Sequence, residues 1–420
     1  MSMDVERIGY FTHMFPAHTS TFIVEEISAM RSLGADITIF AVHIPPKQKV
    51  PEEFAEWARE TTAIFPVRWH LLIVEHCRAV LTRPRKYLMS LWTAMRHGGP
   101  LSLKDRVRTL LHWLEGPLLY RLIRKSDVRH VHVHFLDAAA AIMLFVNRVY
   151  GLPYSITAHG SDIFVEKVFQ REKLSAARFT RVMTRYNRDA LLSLFTAQGA
   201  TPPSLALIPL GMEQFPESVE GKMPPAFTFL HVGRMVWQKG QRLLLEACHM
   251  LRSAGYDFQL IFVGDGELRD DISRWVDELN LSATVRLLGA LPKSQVLELY
   301  RRCHCFVLSS VSEGSPAVLI EAMSEGRPVI APALRGIPEM FSHGREGWLF
   351  ETGNAAALAE AMRQAIVNAD DIPNMGRLAR SHAREQFDLL RNTEEFYGIL
   401  RKTMSDARVV RAEQQGALSV

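Results

Sequence analysis

Short apolar runs rich in β-branched residues alternate with amphipathic segments along most of the chain. Residues 8–11 and 36–42 have the composition of buried strands, and residues 21–33 between them carry apolar side chains at helical spacing. A strand, a crossover helix and a second strand form the repeating unit of a parallel sheet with helices on its faces. Further strands are predicted at residues 130–135, 154–158, 181–184 and 205–209, with a helix at residues 138–149.

The pattern is interrupted at residues 210–227, which are rich in proline and glycine and have little periodicity, as is typical of a linker. A second strand–helix series follows it. We therefore predict an α/β protein with two Rossmann-like domains facing each other across a cleft, in which ligands bind beyond the carboxyl ends of the strands. The predicted parts are an N-terminal, acceptor-side domain (1–209), the linker (210–227), a second domain (228–385), and a C-terminal helix (386–420) that packs back on the first domain and ends in a frayed tail.

The length and composition exclude several classes of protein. The chain has 420 residues, 48% of them hydrophobic and 22% charged, which suits two or three globular domains and excludes a disordered, collagenous or coiled-coil protein. The longest apolar run, residues 138–146, is too short to span a membrane, and Asp4 and Glu6 stand where a signal peptide would be basic. We expect a cytoplasmic protein. Its four cysteines lack the spacing of a disulfide framework or a zinc site, and we expect no metal.

The positive charge is concentrated in the first half of the chain. Residues 1–209 hold 26 Lys and Arg against 18 Asp and Glu, although the net charge of the whole chain is only +4. Residues 66–129 hold 13 basic residues and four acidic ones, interleaved with tryptophans and leucines partly at helical spacing. Such basic amphipathic helices suit an anionic membrane surface or a phosphorylated partner. They equally suit ordinary helices whose apolar face is core, and the periodicity leaves both interpretations open.

The first motif with chemistry is HVGRMVWQKG, residues 231–240. A strand is followed by Gly233 and Arg234, and Lys239 comes five residues later, just before a helix. Two cations beside a helix N-terminus form a binding site for a diphosphate. The alternative is a turn glycine and two solvated cations.

The second motif is SSVSEGSPAVLIEAM, residues 309–323. Glu313 lies in a glycine-containing loop after a predicted strand, and Glu321 lies eight positions later, about one turn into a helix. The loop N–H groups and the helix dipole favour a phosphate, whereas the carboxylates can accept hydrogen bonds from sugar hydroxyls. The pattern therefore indicates a sugar attached to a phosphate. Alternatively, Glu321 caps or salt-bridges its own helix.

With these motifs in place, residues 229–350 resemble the donor domain of the retaining, nucleotide-sugar-dependent glycosyltransferases of family 4, which have the two-domain GT-B fold. The matching stretches are HVGRMVWQKG, VGDGELRDDI, LLGALPKSQVLELY, SSVSEGSPAVLIEAMSEGRPVIA, GIPEMF and EGWLF, in the family's order. Three N-terminal stretches, YFTHMFPAHTSTFIVEEI, HVHFLDAAAA and SITAHGSDIF, are similar to a branch that builds colanic acid and other bacterial exopolysaccharides.

The resemblance implies roles for particular side chains. Arg234 and Lys239 would hold the donor diphosphate, Glu313 would contact the sugar hydroxyls, Glu321 would bind the ribose, and His159 would reach the donor sugar. These residues, except Glu321, are the expected catalytic set. The remaining donor-site candidates are Gly233, Leu291 (beside the nucleobase), and the loop residues Gly314, Ser315, Pro316, Ala317 and Val318.

Some positions depart from the family pattern. Ser315 stands where an aromatic residue or a glycine is common, and Arg335 replaces the first of two glycines before Ile-Pro-Glu. Near the N-terminus, Thr19, Ser20 and Thr21 stand where the branch commonly has Ser-Glu-Thr. These three residues are weak acceptor-side candidates. So is His134, for which a core position is the favoured interpretation.

The sequence thus predicts a retaining hexosyltransferase that uses a nucleotide diphosphate sugar and needs neither a metal nor another cofactor. Its acceptor would be a saccharide, carried on a polyprenyl diphosphate at the inner face of the cytoplasmic membrane, in exopolysaccharide or cell-surface polysaccharide synthesis. No nucleic-acid partner is expected. The alternatives are a non-catalytic nucleotide-sugar sensor or scaffold subunit and, less favoured, a nucleotide-sugar epimerase or a glycogen-type phosphorylase of the same architecture.

Overall fold

The computed structural model describes residues 7–17, 21–50, 52–95, 102–165, 167–197, 199–213 and 223–416. The chain divides into two compact units. Unit 1 holds the residues up to Met183, Asn187–Gly211 and the chain from Leu389 onward, and unit 2 holds Thr184–Tyr186 and Met212–Asp388. The division falls at Gly211, inside the segment predicted as a linker, of which residues 214–222 lie outside the described residues.

Unit 1 is built on a parallel sheet of seven strands in the order β3-β2-β1-β4-β5-β6-β7. The strands are β1 (Arg7–Met14), β2 (Asp36–His43), β3 (Thr62–Ala63), β4 (His130–His134), β5 (Tyr154–Ala158), β6 (Thr180–Val182) and β7 (Leu205–Leu207). The helices are α1 (Thr21–Ser32), α2 (Ala55–Glu60), α3 (Trp69–Thr82), α4 (Pro84–Met95), α5 (Leu103–Lys125), α6 (Ala138–Tyr150), α7 (Gly160–Val165), α8 (Gln170–Ala176), α9 (Arg185–Thr196, whose first two residues belong to unit 2) and α16 (Leu389–Gly416).

The longest apolar run of the sequence is the central helix of unit 1. α6 begins at Asp137, whose side chain accepts a hydrogen bond from the backbone N–H of Ala139, and ends at Gly151, which adopts the left-handed conformation (φ 74°). Nine of its residues are buried, so the run is explained by the core of this unit. Among the described residues, none of the helices combines the length and apolar character needed to cross a membrane.

Unit 2 is built on a parallel sheet of six strands in the order β10-β9-β8-β11-β12-β13. The strands are β8 (Thr228–Val232), β9 (Gln259–Val263), β10 (Val285–Leu287), β11 (Cys305–Val307), β12 (Val329–Pro332) and β13 (Gly347–Phe350). The helices are α10 (Gln241–Ser253), α11 (Arg269–Glu278), α12 (Lys293–Arg301), α13 (Ala317–Ser324), α14 (Ala355–Val367) and α15 (Ile372–Gln386).

The prediction of two Rossmann-like α/β domains is confirmed. Some strand ends differ from the expected ones: β7, for example, stops at Leu207 instead of Pro209. The edge strands β3 and β13 were not predicted. β3 has only two residues, and β13 has four residues that begin with Gly-Trp, so neither strand carries enough of the alternating pattern. The last helix, α16, places Phe396 and Leu400 in the unit 1 core beside Ile27 of α1.

Candidate functional site

In unit 2, the loops that follow β8 and β11 meet through a lysine and a glutamate. Lys239 Nζ lies 2.5 Å from Glu313 Oε1, and Ser310 Oγ donates a hydrogen bond to the same carboxylate oxygen at 2.8 Å. The Lys239 and Glu313 side chains are only 18% and 13% exposed. The cation of the first motif and the anion of the second are 74 residues apart in the sequence. In the structure they form an ion pair in one partly buried position.

Close contact between the two loop backbones fixes this position. Ser309 Oγ donates to the Lys239 carbonyl oxygen at 2.8 Å, and the Val311 N–H donates to the Gln238 carbonyl oxygen at 2.9 Å. Gly240 has φ 62°, and a Cβ on it would lie 2.2 Å from the Ser309 carbonyl oxygen. Only glycine suits both the conformation and the space, so this residue lets the two loops approach.

Gly233 and Arg234 begin the same loop. The Gly233 N–H donates to the Val263 carbonyl oxygen at 3.0 Å, which extends the sheet contact beyond β8. Gln241 Nε2 holds the Arg234 carbonyl oxygen at 2.8 Å, while the Arg234 side chain is exposed. Among the described residues, the Arg234 guanidinium forms no ion pair. The structure thus brings Lys239, but not the side chain of Arg234, into contact with Glu313.

The loop from Gly314 to Pro316 leads into α13, which starts at Ala317 after Pro316 without a side-chain cap. The Leu319 N–H donates to the Pro316 carbonyl oxygen at 3.1 Å, and the helix dipole favours an anion at this end. Gly314 and Pro316 are buried, whereas Ser315, Ala317 and Val318 are partly accessible.

Glu321 is the fifth residue of α13. Its Oε2 accepts a hydrogen bond from Tyr300 OH at 3.2 Å, and the side chain is partly accessible. Burial, together with the nearby Glu321 carboxylate, raises the pKa of Tyr300 well above its usual value, so Tyr300 remains a donor. Glu321 is therefore held in part by a tyrosine of the neighbouring helix α12.

Arg335 is bonded to the Glu313 loop. Its Nη1 donates to the Glu313 carbonyl oxygen at 3.1 Å, and its backbone has φ 49°, a conformation that favours glycine. The guanidinium ties the loop after β12 to the loop after β11. The departure from the family's glycine thus adds a cation and a strained backbone next to Glu313.

His231, on β8, was not singled out from the sequence. Its Nδ1 lies 2.9 Å from the Val307 carbonyl oxygen, and its Nε2 is buried without a hydrogen-bond partner. Burial lowers the pKa of His231 to about 4, opposed by the Val307 hydrogen bond and assisted by the charge of Lys239. The ring is therefore neutral at pH 7. Its signal in the sequence was a polar residue inside a buried strand, which is too common to mark a site.

Leu291 follows β10 on the same edge of the sheet. Before it, Gly289 adopts a left-handed conformation (φ 72°) and accepts a hydrogen bond from the Gly264 N–H at 2.8 Å. Leu291 is partly accessible. The loops after β8, β9, β10 and β11 therefore all lie at the carboxyl edge of one parallel sheet.

In unit 1, His159 directly follows β5. Its ring lies 4.6 Å from the Phe135 ring and 5.1 Å from the Phe22 ring, centroid to centroid. Burial, with the positive charges of His134 and Arg181, lowers the pKa of His159 to about 3, and its Nε2 has no hydrogen-bond partner. His159 is thus a neutral side chain with an unused polar atom, which is suited to a hydrogen bond with a ligand.

The acceptor-side candidates have different positions. His134 is buried on β4, where its Nε2 lies 3.0 Å from Glu26 Oε1, so it belongs to the core, the interpretation favoured above. Thr21 is the first residue of α1 and is partly accessible. Thr19 and Ser20 lie outside the described residues.

Glu26 is the centre of a buried charge network. It pairs with Arg181 and His134, and its Oε1 accepts a hydrogen bond from Tyr10 OH at 3.0 Å. Burial alone would raise the pKa of Glu26, but the charges of Arg181 and His134 hold it well below its usual range.

Donor atoms of Glu26, His132 and His134 also lie within 4.8 Å of one another, as metal ligands would. However, both ring nitrogens of His132 already meet hydroxyl groups, Nδ1 that of Ser155 at 2.9 Å and Nε2 that of Thr157 at 2.8 Å. The Glu26 carboxylate is likewise occupied by Arg181 and Tyr10. These residues fit a hydrogen-bonded network better than a metal site.

The fold is that of two Rossmann-like α/β units. Unit 2 carries a lysine, two glutamates and an uncapped helix N-terminus at the carboxyl edge of its sheet, which is where such folds bind anionic ligands. The comparisons agree with this fold. The family model of the glycosyl transferases group 1 matches residues 215–382. These residues are therefore similar to the group 1 glycosyl transferases, and the match supports glycosyltransferase activity.

Full-length relatives extend this similarity beyond the matched domain. The amylovoran biosynthesis glycosyltransferase AmsK of Erwinia amylovora is 24% identical over 404 residues, covering 91% of this chain and 96% of the relative. The putative colanic acid biosynthesis glycosyltransferase WcaL of Escherichia coli is 24% identical over 405 residues, with the same two coverages. The predicted resemblance to the colanic-acid branch is therefore confirmed.

Solved structures share the fold. Sucrose-phosphate synthase from Thermosynechococcus elongatus has a TM-score of 0.71 at 16% identity, covering 96% of this chain and all of that one. HepE from Anabaena, solved in complex with UDP-glucose, has a TM-score of 0.67 at 15% identity, covering 94% and 99% of the two chains.

Proposed function

We propose that this glycosyltransferase moves a hexosyl group, with retention of the anomeric configuration, from a nucleotide diphosphate sugar to a saccharide acceptor. The observation that carries the proposal is the Lys239–Glu313 pair beside the uncapped start of α13. A phosphorylated sugar presents anionic oxygens and neutral hydroxyls next to each other. The pair offers a cation for the anionic oxygens and a carboxylate for the hydroxyls, in a partly buried position.

In this mechanism the residues of unit 2 stabilise the leaving group. As the bond between the sugar C1 and the diphosphate oxygen breaks, negative charge grows on the diphosphate. Lys239, Arg234 and the α13 N-terminus bind that charge more strongly in the transition state than in the ground state. The acceptor hydroxyl attacks C1 from the leaving-group side, and its proton passes to the departing phosphate oxygen. No metal is required for these steps.

Glu313 and Glu321 act on neutral parts of the donor. Glu313 accepts hydrogen bonds from sugar hydroxyls, and Glu321 accepts them from the ribose, since a free carboxylate would repel the phosphates. Gly233, Gly314 and the residues from Ser315 to Val318 supply backbone around the diphosphate and the sugar, and the Leu291 backbone meets the base. His159 donates one hydrogen bond to the donor sugar as a neutral imidazole.

The acceptor is proposed to be a saccharide on a polyprenyl-diphosphate carrier, in exopolysaccharide or cell-surface polysaccharide synthesis at the inner face of the cytoplasmic membrane. One relative supports such an acceptor. It is an Escherichia coli UDP-Gal:α-D-GlcNAc-diphosphoundecaprenol α-1,3-galactosyltransferase, 25% identical over 302 residues, covering 66% of this chain and 76% of the relative. The basic first half of the chain supports an anionic membrane surface as a partner.

The test is turnover of a panel of uridine and guanosine diphosphate sugars by the wild-type chain, with and without EDTA, read as nucleoside diphosphate release. We expect one donor to be consumed with no effect of EDTA, and we expect Lys239→Ala to abolish most of the release. Binding of a nucleotide sugar without turnover, equal in wild type and Lys239→Ala, would identify a sensor or scaffold subunit and contradict the proposal.

A further inference from the structure

Helices α3 and α4 of unit 1 carry large apolar side chains on the face turned away from their core. Trp69, Ile73 and Leu81 of α3 are 74%, 64% and 81% exposed, and Leu88 and Trp92 of α4 are 61% and 56% exposed. We call these five residues the outer apolar face. Single exposed apolar residues are normal on a protein surface, but a set on two adjacent helices is not.

The buried sides of the two helices explain why the outer apolar face is not core. Ala79 of α3 and Tyr87 and Ala94 of α4 join one cluster with residues of α5 and α6, including Trp113. Ala79 follows Glu75 at helical spacing, and these are the two buried residues of α3. Each helix therefore has one side against the rest of unit 1, and in the part of the chain that the structure describes its other side exposes large apolar residues. Large exposed apolar patches mark protein–protein or membrane interaction sites.

The exposed charged residues on α3 and α4 themselves are all basic. Arg78 lies on α3, and Arg85 and Lys86 lie on the first turn of α4; all three are exposed. Of the acidic residues between positions 66 and 129, Glu75 is buried against Arg121 and only Asp127 is exposed. Two helices that expose tryptophans and other large apolar residues, and whose exposed charged residues are all basic, match the interface of an anionic bilayer.

We propose that the outer apolar face inserts into the headgroup region of an anionic lipid bilayer, with Arg78, Arg85 and Lys86 bound to lipid phosphates. This deepens the proposed function, because it names the surface through which the enzyme reaches a membrane-bound acceptor. In this proposal, membrane binding depends on insertion of apolar side chains from two helices, and not only on electrostatic attraction between the basic first half of the chain and anionic lipids. Such binding is only partly reversed by salt, since screening weakens the ionic contacts but not the apolar ones.

The first experiment is flotation of the full chain with vesicles of phosphatidylglycerol in phosphatidylcholine, at low and high salt. We expect binding at low salt, residual binding at high salt, and weak binding to pure phosphatidylcholine. Leu88→Ser should lower the partition coefficient about tenfold, because its leucine leaves water on binding. Leu390→Ser is the matched control, since Leu390 of the same unit is 56% exposed and lies on α16. Arg85→Ala should lower binding about fivefold.

A second measurement locates the contact. Brominated acyl chains should quench the tryptophan fluorescence of the wild type, and the quenching should fall in the Trp69→Phe and Trp92→Phe variants. The far-UV circular dichroism spectrum of each variant serves as the folding control. We expect it to match that of the wild type, because the replaced apolar residues are more than half exposed.

The proposal is overturned if the chain does not bind anionic vesicles. It is also overturned if the binding is fully reversed by salt and is equal in Leu88→Ser and wild type. A third contrary result is self-association of the chain without vesicles that Leu88→Ser abolishes. Donor turnover without vesicles is measured on the same samples. Loss of membrane binding with intact turnover rejects this surface alone, whereas intact binding without turnover rejects the proposed function.

Discussion

Replacing Lys239 by alanine removes the cation from the site while leaving the rest of unit 2 unchanged. The Lys239 side chain is 18% exposed and its Nζ lies 2.5 Å from Glu313, so its charge acts in a partly desolvated place. Loss of one preorganised electrostatic group of this kind costs about 2–4 kcal/mol of transition-state stabilisation. That corresponds to a fall in kcat of about 30- to 900-fold.

The same substitution has a smaller effect on folding. Glu313 keeps the hydrogen bond from Ser310 Oγ but loses its counter-charge. We expect the free energy of unfolding to fall by about 1–2 kcal/mol, less than for a fully buried pair, because both side chains retain some contact with water. Urea denaturation measures this loss separately from the kinetic one.

The assay is steady-state release of nucleoside diphosphate, with Lys402→Ala, an exposed lysine of α16, as the control. Glu313→Gln and the double variant complete a double-mutant cycle. We expect the double variant to be much less impaired than the sum of the single ones, because the two residues act as a unit. A Lys239→Ala variant that folds and keeps kcat within about threefold of the wild type would refute the electrostatic reasoning.

Three further predictions concern the supports of the two units, and urea unfolding midpoints measure all of them. Gly240→Ala should destabilise the chain by more than about 2 kcal/mol, because its Cβ would meet the Ser309 carbonyl oxygen at 2.2 Å with φ at 62°; a midpoint equal to the wild type would contradict this. Glu26→Gln should cost about 3–5 kcal/mol, since it leaves Arg181 buried without its counter-ion; a loss under about 1 kcal/mol would show that the network is not needed. The pKa of His130 is lowered to about 3 by burial, so the unfolded chain takes up its proton first and stability falls as the pH drops from about 6.5 towards 3; His130→Gln should reduce that slope by about 1.4 kcal/mol per pH unit, and an unchanged slope would exclude a buried neutral His130.

The periodicity of the sequence was sufficient for the alternation of strands and helices, because buried parallel strands and crossover helices are long enough to leave a pattern. It was not sufficient for β3 or β13, which are short edge strands. The pattern also left open whether the apolar residues between positions 66 and 129 belong to the core. In the structure, one side of α3 and of α4 packs against the core of unit 1, and the other side is exposed. Helical spacing alone does not show which apolar face finds a partner.

The candidate site was predicted in part. Lys239 and Glu313 were singled out from local motifs, but their contact depends on the parallel pairing of β8 with β11, which is a long-range property. Arg335 and His231 illustrate the remainder. In the sequence Arg335 stands out only as a departure from the family pattern, because its hydrogen bond to the Glu313 carbonyl oxygen depends on long-range folding. His231 was missed because nothing in one sequence distinguishes a histidine below a site from any other core histidine.

The most direct test of the central claim is a crystal structure of the chain with uridine or guanosine diphosphate. We predict that the diphosphate lies within hydrogen-bonding distance of Lys239 Nζ and of the first backbone N–H groups of α13, with the Arg234 side chain turned towards it. A diphosphate bound elsewhere, with Lys239 still paired only to Glu313, would contradict the account.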